Sequence, residues 1–393
     1  MKADEGTPGG PFSSNAVRLS IKECLGVVLS LALAGSLLGP VWAKLEAFDP
    51  SADYRIPYDL SEDYWLFDRY CEEAGVPGRT LVIGDSFVWG QYVNRDETLS
   101  HFLNVESRSN RFVNAGLDGT HPLALEGLIR HHCGSLREGE VVLHLNLLWV
   151  SSPQADLQVD PGVGINHPRL VPQFSPSIPG YDASLSDRLG VVMGRTIPLL
   201  GWPRHIRSSY FSNADLPHWT LDNPYSNPIR QITYALPEAA ADTHRHGQPW
   251  VDRGATLQDP PWVDLETSLQ WEAFQRLLKL LEARGNSVFI LVGPLNEHML
   301  EPTNLTSYRD LLAAVEGKLE DQGVPAFLAP VLPSELYADL SHPLGQGYAL
   351  MAKEVWDRLS GPSDHLIHPG PAPNRPGGPP RPPVLPRTGS SRR

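Results

Sequence analysis

The sequence predicts an α/β protein built on a parallel sheet with helices covering both faces. Three observations carry this expectation. Five short apolar runs occur, at 81–83, 111–114, 140–146, 287–292 and 325–328, and such runs are the pattern of strands buried on both sides. Longer stretches with helical spacing fall between them, the clearest at 265–284, 305–322 and 347–359. Strand followed by helix, repeated, makes parallel strands with crossovers that pack back onto the sheet.

At the N-terminal end, residues 24–43 form an uncharged run of twenty. As a helix it spans roughly 30 Å, the thickness of a bilayer's hydrocarbon layer. Arg18 and Lys22 precede the run, whereas Glu46, Asp49 and Asp53 follow it with only Lys44 among them. The positive-inside bias then makes 1–23 a cytoplasmic segment and places the rest of this single-pass chain outside the membrane. A cleaved signal peptide is the alternative, because Val41-Trp42-Ala43 offers a peptidase a small residue. The length of the run and of the region before it favours an anchor. Cys24 stands at the start of the run and not after it, which gives no support to a lipoprotein anchor.

Residues 44–77 read as a linker and 78–360 as the folded domain, without internal repeats. In the helical stretches, Asp264 is the expected N-cap of the first and Gly285 its stop, while Gly323 and Gly361 close the other two. Residues 150–262 break the alternation and form a large insertion after the third strand, too long for bare loop. Short helices packed over one end of the sheet are expected there, with Trp202, Trp219, Trp250 and Trp262 as packing residues and carbohydrate stacking as their alternative role. From 361 to 393 the chain carries ten prolines in 33 residues and buries too little apolar surface to order itself.

The formal charge is −13, and the tail holds five arginines against one aspartate, so the remainder is more acidic still. Such a surface repels phosphate backbones and excludes nucleic acid as the expected partner. Three cysteines, Cys24, Cys71 and Cys133, are too few for a disulfide framework or a paired-cysteine zinc site. Cys71 and Cys133 can close one bridge in an oxidising compartment; two reduced, partly buried thiols are the favoured expectation.

Chemistry centres on Ser86, in the stretch LVIGDSFVWGQ at 81–91. Ligands of an open parallel sheet bind beyond the carboxyl ends of its strands, where Ser86 falls. A hydroxyl there also serves simply as a helix cap. A nucleophilic serine needs an imidazole to take its proton, a carboxylate to orient the imidazole, and donors aimed at the oxyanion. Tyr337-Ala-Asp339-Leu-Ser-His342-Pro343, after the fifth strand, supplies the first two. Gly119, after the second strand, and Asn146, after the third, are the candidate donors. Their plainer roles are a turn glycine and a loop-ordering amide.

The order of these motifs resembles the SGNH, or GDSL, hydrolase superfamily: Gly84-Asp85-Ser86, then Asn114-Ala-Gly-Leu-Asp-Gly119, then Asn146, then Asp339-Leu-Ser-His342-Pro343. The resemblance covers 78–360. It implies a three-layer α/β/α, flavodoxin-like sandwich with a five-stranded parallel sheet, and a Ser86-His342-Asp339 triad. It also implies an oxyanion hole made by the Ser86 and Gly119 backbone N–H groups and the Asn146 side chain. Phe87 replaces the usual leucine, and His144-Leu-Asn146-Leu147 lacks the glycine and aspartate of the usual Gly-x-Asn-Asp block. The insertion is also unusual, so no substrate specificity is carried over.

The expected activity is that of a serine esterase or deacylase acting outside the membrane on an ester or an acylated glycan or lipid, with no cofactor. An O-acyltransferase acting on envelope or secreted polysaccharide is the second expectation, and a non-catalytic anchored binding protein the third. Asp85, His121 and His298 are candidate substrate contacts, with surface histidine the plainer account of His298. Val88 occupies the place of the second glycine in an α/β-hydrolase elbow, and neither a G-x-G-x-x-G turn after the first strand nor a Walker loop occurs. No metal site is expected: His131 and His132 point apart on a helix beside Cys133, and His244 and His246 read as solvated loop.

Overall fold

The computed structural model describes residues 19–236 and 247–361. The segment before residue 19, His244 and His246, and the Pro-rich tail from 362 onward lie outside them. In chain order the helices and strands are α1 (Ile21–Leu45), α2 (Tyr64–Ala74), β1 (Thr80–Gly84), α3 (Ser86–Trp89), α4 (Leu99–Ser107), β2 (Phe112–Gly116), α5 (Pro122–His132) and β3 (Glu140–Leu145). Four helices of the insertion follow: α6 (Leu185–Thr196), α7 (Gly201–Phe211), α8 (Leu216–Asp222) and α9 (Pro228–Gln231). The chain then returns to the sheet through α10 (Leu269–Ala283), β4 (Ser287–Val292), α11 (Pro302–Asp321), β5 (Ala326–Leu328) and α12 (Gly345–Leu359).

All five strands are parallel, in the order β2-β1-β3-β4-β5. Alternate side chains along each strand feed two cores, as the two-residue period of a strand requires. Leu81, Ile83, Leu143 and Ile290 join α2, α5, α10 and α11 on one face, through residues such as Phe67, Leu128, Leu277 and Val315. Val82, Val142, Phe289 and Leu291 join α3, α4 and α12 on the other, through Phe87, Leu103, Tyr348 and Met351. Truncating one such buried leucine to alanine costs about 2–5 kcal/mol.

Three expectations are corrected. Residues 44–77 are no mere linker: Leu66, Phe67, Tyr70, Cys71 and Ala74 of α2 are buried in the larger core. Because α2 packs beside α5, Cys71 and Cys133 come to a Cα separation of 5.6 Å and are joined as a disulfide, and both are fully buried. The bridge replaces the reduced, partly buried thiols expected from the sequence, since a separation of 62 residues hides this neighbourhood from local patterns. Finally, α10 starts four residues later than expected, with Ser268 accepting from Trp271 N as its N-cap, while Asp264 ties up the preceding turn.

The insertion holds short helices, and its Leu157, Val171, Ile178 and Tyr181 pack on Leu123 and Ala273 of α5 and α10. Its tryptophans are packing residues. Trp202 meets Trp42, Trp219 meets Phe211, and the indole N–H groups of Trp250 and Trp262 donate to Ser334 and Asn304.

Candidate active site

The chain steps from β1 to β2 on one side and then places β3 on the other side of β1. The carboxyl ends of β1 and β3 therefore flank a crevice where the winding reverses, the place where open α/β sheets hold ligands. Pairing of Ile83 with Leu143 brings the residues that follow, Asp85, Ser86 and Asn146, to one rim.

Ser86 opens the one-turn helix α3, with Asp85 as its N-cap accepting from Phe87 N at 3.0 Å. Gly116 lets this turn seat on β2, since a side chain there would strike the Trp89 backbone nitrogen. Buried Arg55, from the segment before α2, donates to the carbonyls of Trp89, Gly90 and Val93 at 3.1, 2.7 and 3.0 Å. Its guanidinium also lies 4.3 Å from the Trp89 ring centre, so the turn is fixed from behind.

The loop after β5 brings the other two members. Asp339 Oδ1 accepts from Ser341 N at 2.9 Å and His342 N at 3.0 Å, an Asx turn that folds the carboxylate back over its own loop. His342 Nδ1 lies 2.8 Å from Asp339 Oδ1 and 3.0 Å from Oδ2, and its Nε2 lies 2.8 Å from Ser86 Oγ. Asn296 supports the loop from β4 by donating to the Asp339 carbonyl at 3.2 Å. Tyr92 stands edge-on to the His342 ring, with centres 5.4 Å apart.

The charges follow from this geometry. Burial pushes the His342 pKa down, but the adjacent Asp339 anion and its hydrogen bond outweigh burial and hold it above the ordinary histidine value. Burial pushes Asp339 up, yet the His342 charge, the hydrogen bonds from His342 and Ser341, and Tyr92 hold it down at about 2. A serine hydroxyl against an imidazole whose other nitrogen faces an ionised carboxylate is the arrangement that proton transfer from serine requires.

Three backbone or side-chain donors surround the serine turn. The Ser86 N–H is at the first helical position, where helices leave donors unsatisfied. Gly119 has φ +71°, a left-handed conformation that glycine adopts without strain, and its N–H finds no acceptor among the described residues. Asn146 Nδ2 donates one hydrogen to Asp85 Oδ2 at 2.7 Å, its Oδ1 accepts from Leu148 N, and its second amide hydrogen is unengaged among the described residues.

The three candidate substrate contacts are placed otherwise. Asp85 is buried, and its carboxylate also accepts from Trp149 Nε1 at 3.0 Å. His144 Nδ1 stands 3.2 Å from it, out of line for a hydrogen bond. Burial holds Asp85 up, but His144, His342 and the Asn146 amide bring it to about 2. His121 is buried with both ring nitrogens occupied, by Gln270 and by the Asn166 carbonyl. Burial, then the charge of His167, lowers it to about 4, so it is neutral. His298 is exposed and tied to the Leu332 carbonyl at 3.0 Å.

Sequence reasoning missed Arg55, Tyr92, Trp149 and Asn166. Asn166 packs against Gly119, and its neighbour His167 donates from Nε2 to the Asp118 carbonyl at 2.7 Å, so the insertion shapes the donor loop. Trp149, three residues beyond Asn146, was the one visible signal. A cleft of about 650 Å³ between α2, α5 and α6, lined by Tyr64, His131, His132 and Arg195 among others, contains none of the triad. Cys133, spent in the disulfide, cannot join His131 and His132 as a thiolate metal ligand. Among the described residues no group of three or more His, Cys, Asp or Glu is arranged to hold a metal ion. No protein-family model matches this chain, and no curated protein matches it.

Proposed function

We propose that the protein is a serine acyl-ester hydrolase of the SGNH/GDSL type. The observation that carries this is the pair of contacts joining Ser86 Oγ to His342 Nε2 and His342 Nδ1 to Asp339, both at 2.8 Å. The strand order β2-β1-β3-β4-β5 supports the flavodoxin-like arrangement that the motif resemblance implies.

In this reading His342 takes the Ser86 proton as Oγ attacks the ester carbonyl carbon. The carbonyl oxygen becomes an oxyanion met by the N–H groups of Ser86 and Gly119 and the free hydrogen of Asn146. Collapse expels the alcohol, which leaves with the proton from His342, and an acyl-serine remains. Water, deprotonated by His342, then attacks the acyl carbon, and Ser86 leaves as the restored hydroxyl with the acid as product. Asp339 stays ionised throughout and stabilises the imidazolium.

Transfer to a sugar hydroxyl is the second reading, and Trp149 supports a sugar as either the acylated substrate or the acceptor. Its ring is partly exposed while its N–H is held by Asp85, leaving an aromatic surface beside the nucleophile against which a sugar ring can lie.

The site is assigned to the outer side of a membrane, with α1 as a retained anchor. Helix α1 is long and apolar enough to cross a bilayer. Its Trp42 packs on Trp202, Tyr210 and Tyr234 of the domain, contacts that cleavage after Ala43 removes. The Cys71–Cys133 bridge suits an oxidising compartment.

The test treats membranes carrying the full chain with a fluorophosphonate probe, beside Ser86→Ala. Labelling is expected in the wild type and lost in the variant; equal labelling of both overturns the nucleophile assignment. Turnover of a short-chain aryl ester, with and without a glycan acceptor, then separates free acid from acylated glycan as the main product. Neither product forming supports a binding protein instead.

A further inference from the structure

We infer that the hairpin formed by α6, the turn Pro198–Leu200 and the start of α7 is seated in the outer leaflet of the membrane beside α1. This rests on the proposal that α1 crosses the bilayer. The observation behind it is where the hairpin meets that helix. One face of α1 packs on the domain, through Gly35, Gly39, Trp42, Ala43 and Glu46, while the opposite side chains are exposed. Gly35 is buried against Leu199, so closely that a Cβ there would stand 2.5 Å from Leu199 Cδ2. Trp65 fills the next step, near both Gly39 and Gly201. Small residues at this spacing are how membrane helices admit a close neighbour.

Depth follows from helix geometry. Gly35 lies eight residues inside Ala43, the last residue of the uncharged run. At 1.5 Å per residue this is roughly 12 Å, within the ~15 Å half-thickness of the hydrocarbon layer. Leu199, touching Gly35, is carried to about the same level.

The polarity of α6 fits such a seat and not a water-facing one. Leu185, Leu189, Val192, Met193 and Ile197 form one helical stripe, each between 37% and 66% exposed. Its arginines turn the other way. Arg188 donates to the Tyr181, Ala183 and Gln173 carbonyls, and Arg195 to those of Arg169 and Val171. A helix that spends its arginines on its own domain, keeps its one acidic residue, Asp187, in its first turn against Ser184, and shows its apolar side outward is reversed relative to a surface helix in water. Lipid continuous with that around α1 is the occupant, so the domain is held by two insertions and not by a flexible tether.

The test uses full-length protein in phosphatidylcholine vesicles, with Cys24→Ser removing the free thiol. Single cysteines at Met193 and Ile197 carry an environment-sensitive fluorophore, with Leu33→Cys on α1 and Leu350→Cys on α12 as references. Lipid-borne doxyl groups are expected to quench the 193, 197 and 33 labels severalfold more than aqueous iodide does, and the 350 label in the reverse order. If label 33 behaves as in lipid but 193 and 197 follow 350, the hairpin inference falls and the anchor stands. If label 33 also follows 350, the anchor proposal falls and takes the inference with it. Labels at 193 and 197 shielded from both quenchers, with disulfide cross-linking between copies of the unlabelled single-cysteine variants, overturn it in favour of a self-association face.

Discussion

Asn146 donates to the Asp85 carboxylate at 2.7 Å, and this contact decides where the other hydrogen of its amide goes. The amide oxygen is engaged by Leu148 N, so the group has no freedom to rotate. We expect Asn146→Ala to lower kcat about 10²–10³-fold with KM little changed, the loss usual for one oxyanion donor. Asp85→Asn, which weakens the hold on the Asn146 amide, is expected to fall between that variant and wild type. Steady-state kinetics on an aryl ester check both. An Asn146→Ala enzyme at full kcat removes this residue from the oxyanion site.

Asp339 is expected to set the pH profile. In the proposed mechanism His342 must be neutral, and the folded pKa of that ring is raised, so kcat/KM is expected to rise with pH through a midpoint above the ordinary histidine value of about 6.5. In Asp339→Asn the largest effects opposing burial are lost, with only the more distant charges of Asp85 and Asp118 remaining, and the acid limb moves to lower pH. The rate at its plateau drops by about 10⁴-fold, since the amide also favours the wrong tautomer. A limb that stays in place assigns the midpoint to another group.

The Cys71–Cys133 bridge ties α2 to the end of α5 inside the larger core. Cys133→Ser is expected to lower stability by about 2–5 kcal/mol, through the chain entropy returned to the unfolded state. Thermal unfolding in the presence and absence of reductant checks this. Reductant is expected to lower the Tm of wild type and leave the variant unmoved.

What the sequence made legible follows from how local each feature is. Asp339 and His342 stand three residues apart on one turn, and Ser86 follows an apolar strand, so their types and spacing announce a shared edge. Helix α2 was legible too, since its buried Leu66, Phe67, Tyr70, Cys71 and Ala74 recur at helical spacing, and reading 44–77 as a linker set that pattern aside. Arg55 and Asn166 act on backbone groups far along the chain, at Trp89 to Val93 and beside Gly119, and no local pattern reports such contacts. Ser268 displaced Asp264 as N-cap because Asp156 accepts from Ser268, Leu269 and Gln270 and fixes the helix start there.

His205 provides a test of how α1 is joined to the domain. It is fully buried, with Nδ1 2.7 Å from Asp63 Oδ2 and Nε2 3.0 and 3.1 Å from the two oxygens of Glu46, the residue that follows α1. Arg69 completes the cluster with a 2.7 Å bond to Glu46. Burial disfavours the His205 cation, but its hydrogen bonds to Asp63 and Glu46 and their charges outweigh burial and raise its pKa to about 9. Below the unfolded value of about 6.5 both folded and unfolded chains hold the proton, and the full stabilisation is present. Between about 6.5 and 9 only the folded protein keeps it, so stability falls as pH rises, and above that window the contribution is gone. The total lost is of order 3 kcal/mol at most, since one pKa unit is about 1.4 kcal/mol. We expect the wild-type Tm to decline from pH 6.5 to 9.5 and His205→Gln to start lower and decline less. The lower start follows because Glu46 and Asp63 are left buried with one fewer cation. A variant whose Tm falls with pH as steeply as that of wild type assigns the pH dependence to another group and leaves His205 a neutral packing residue.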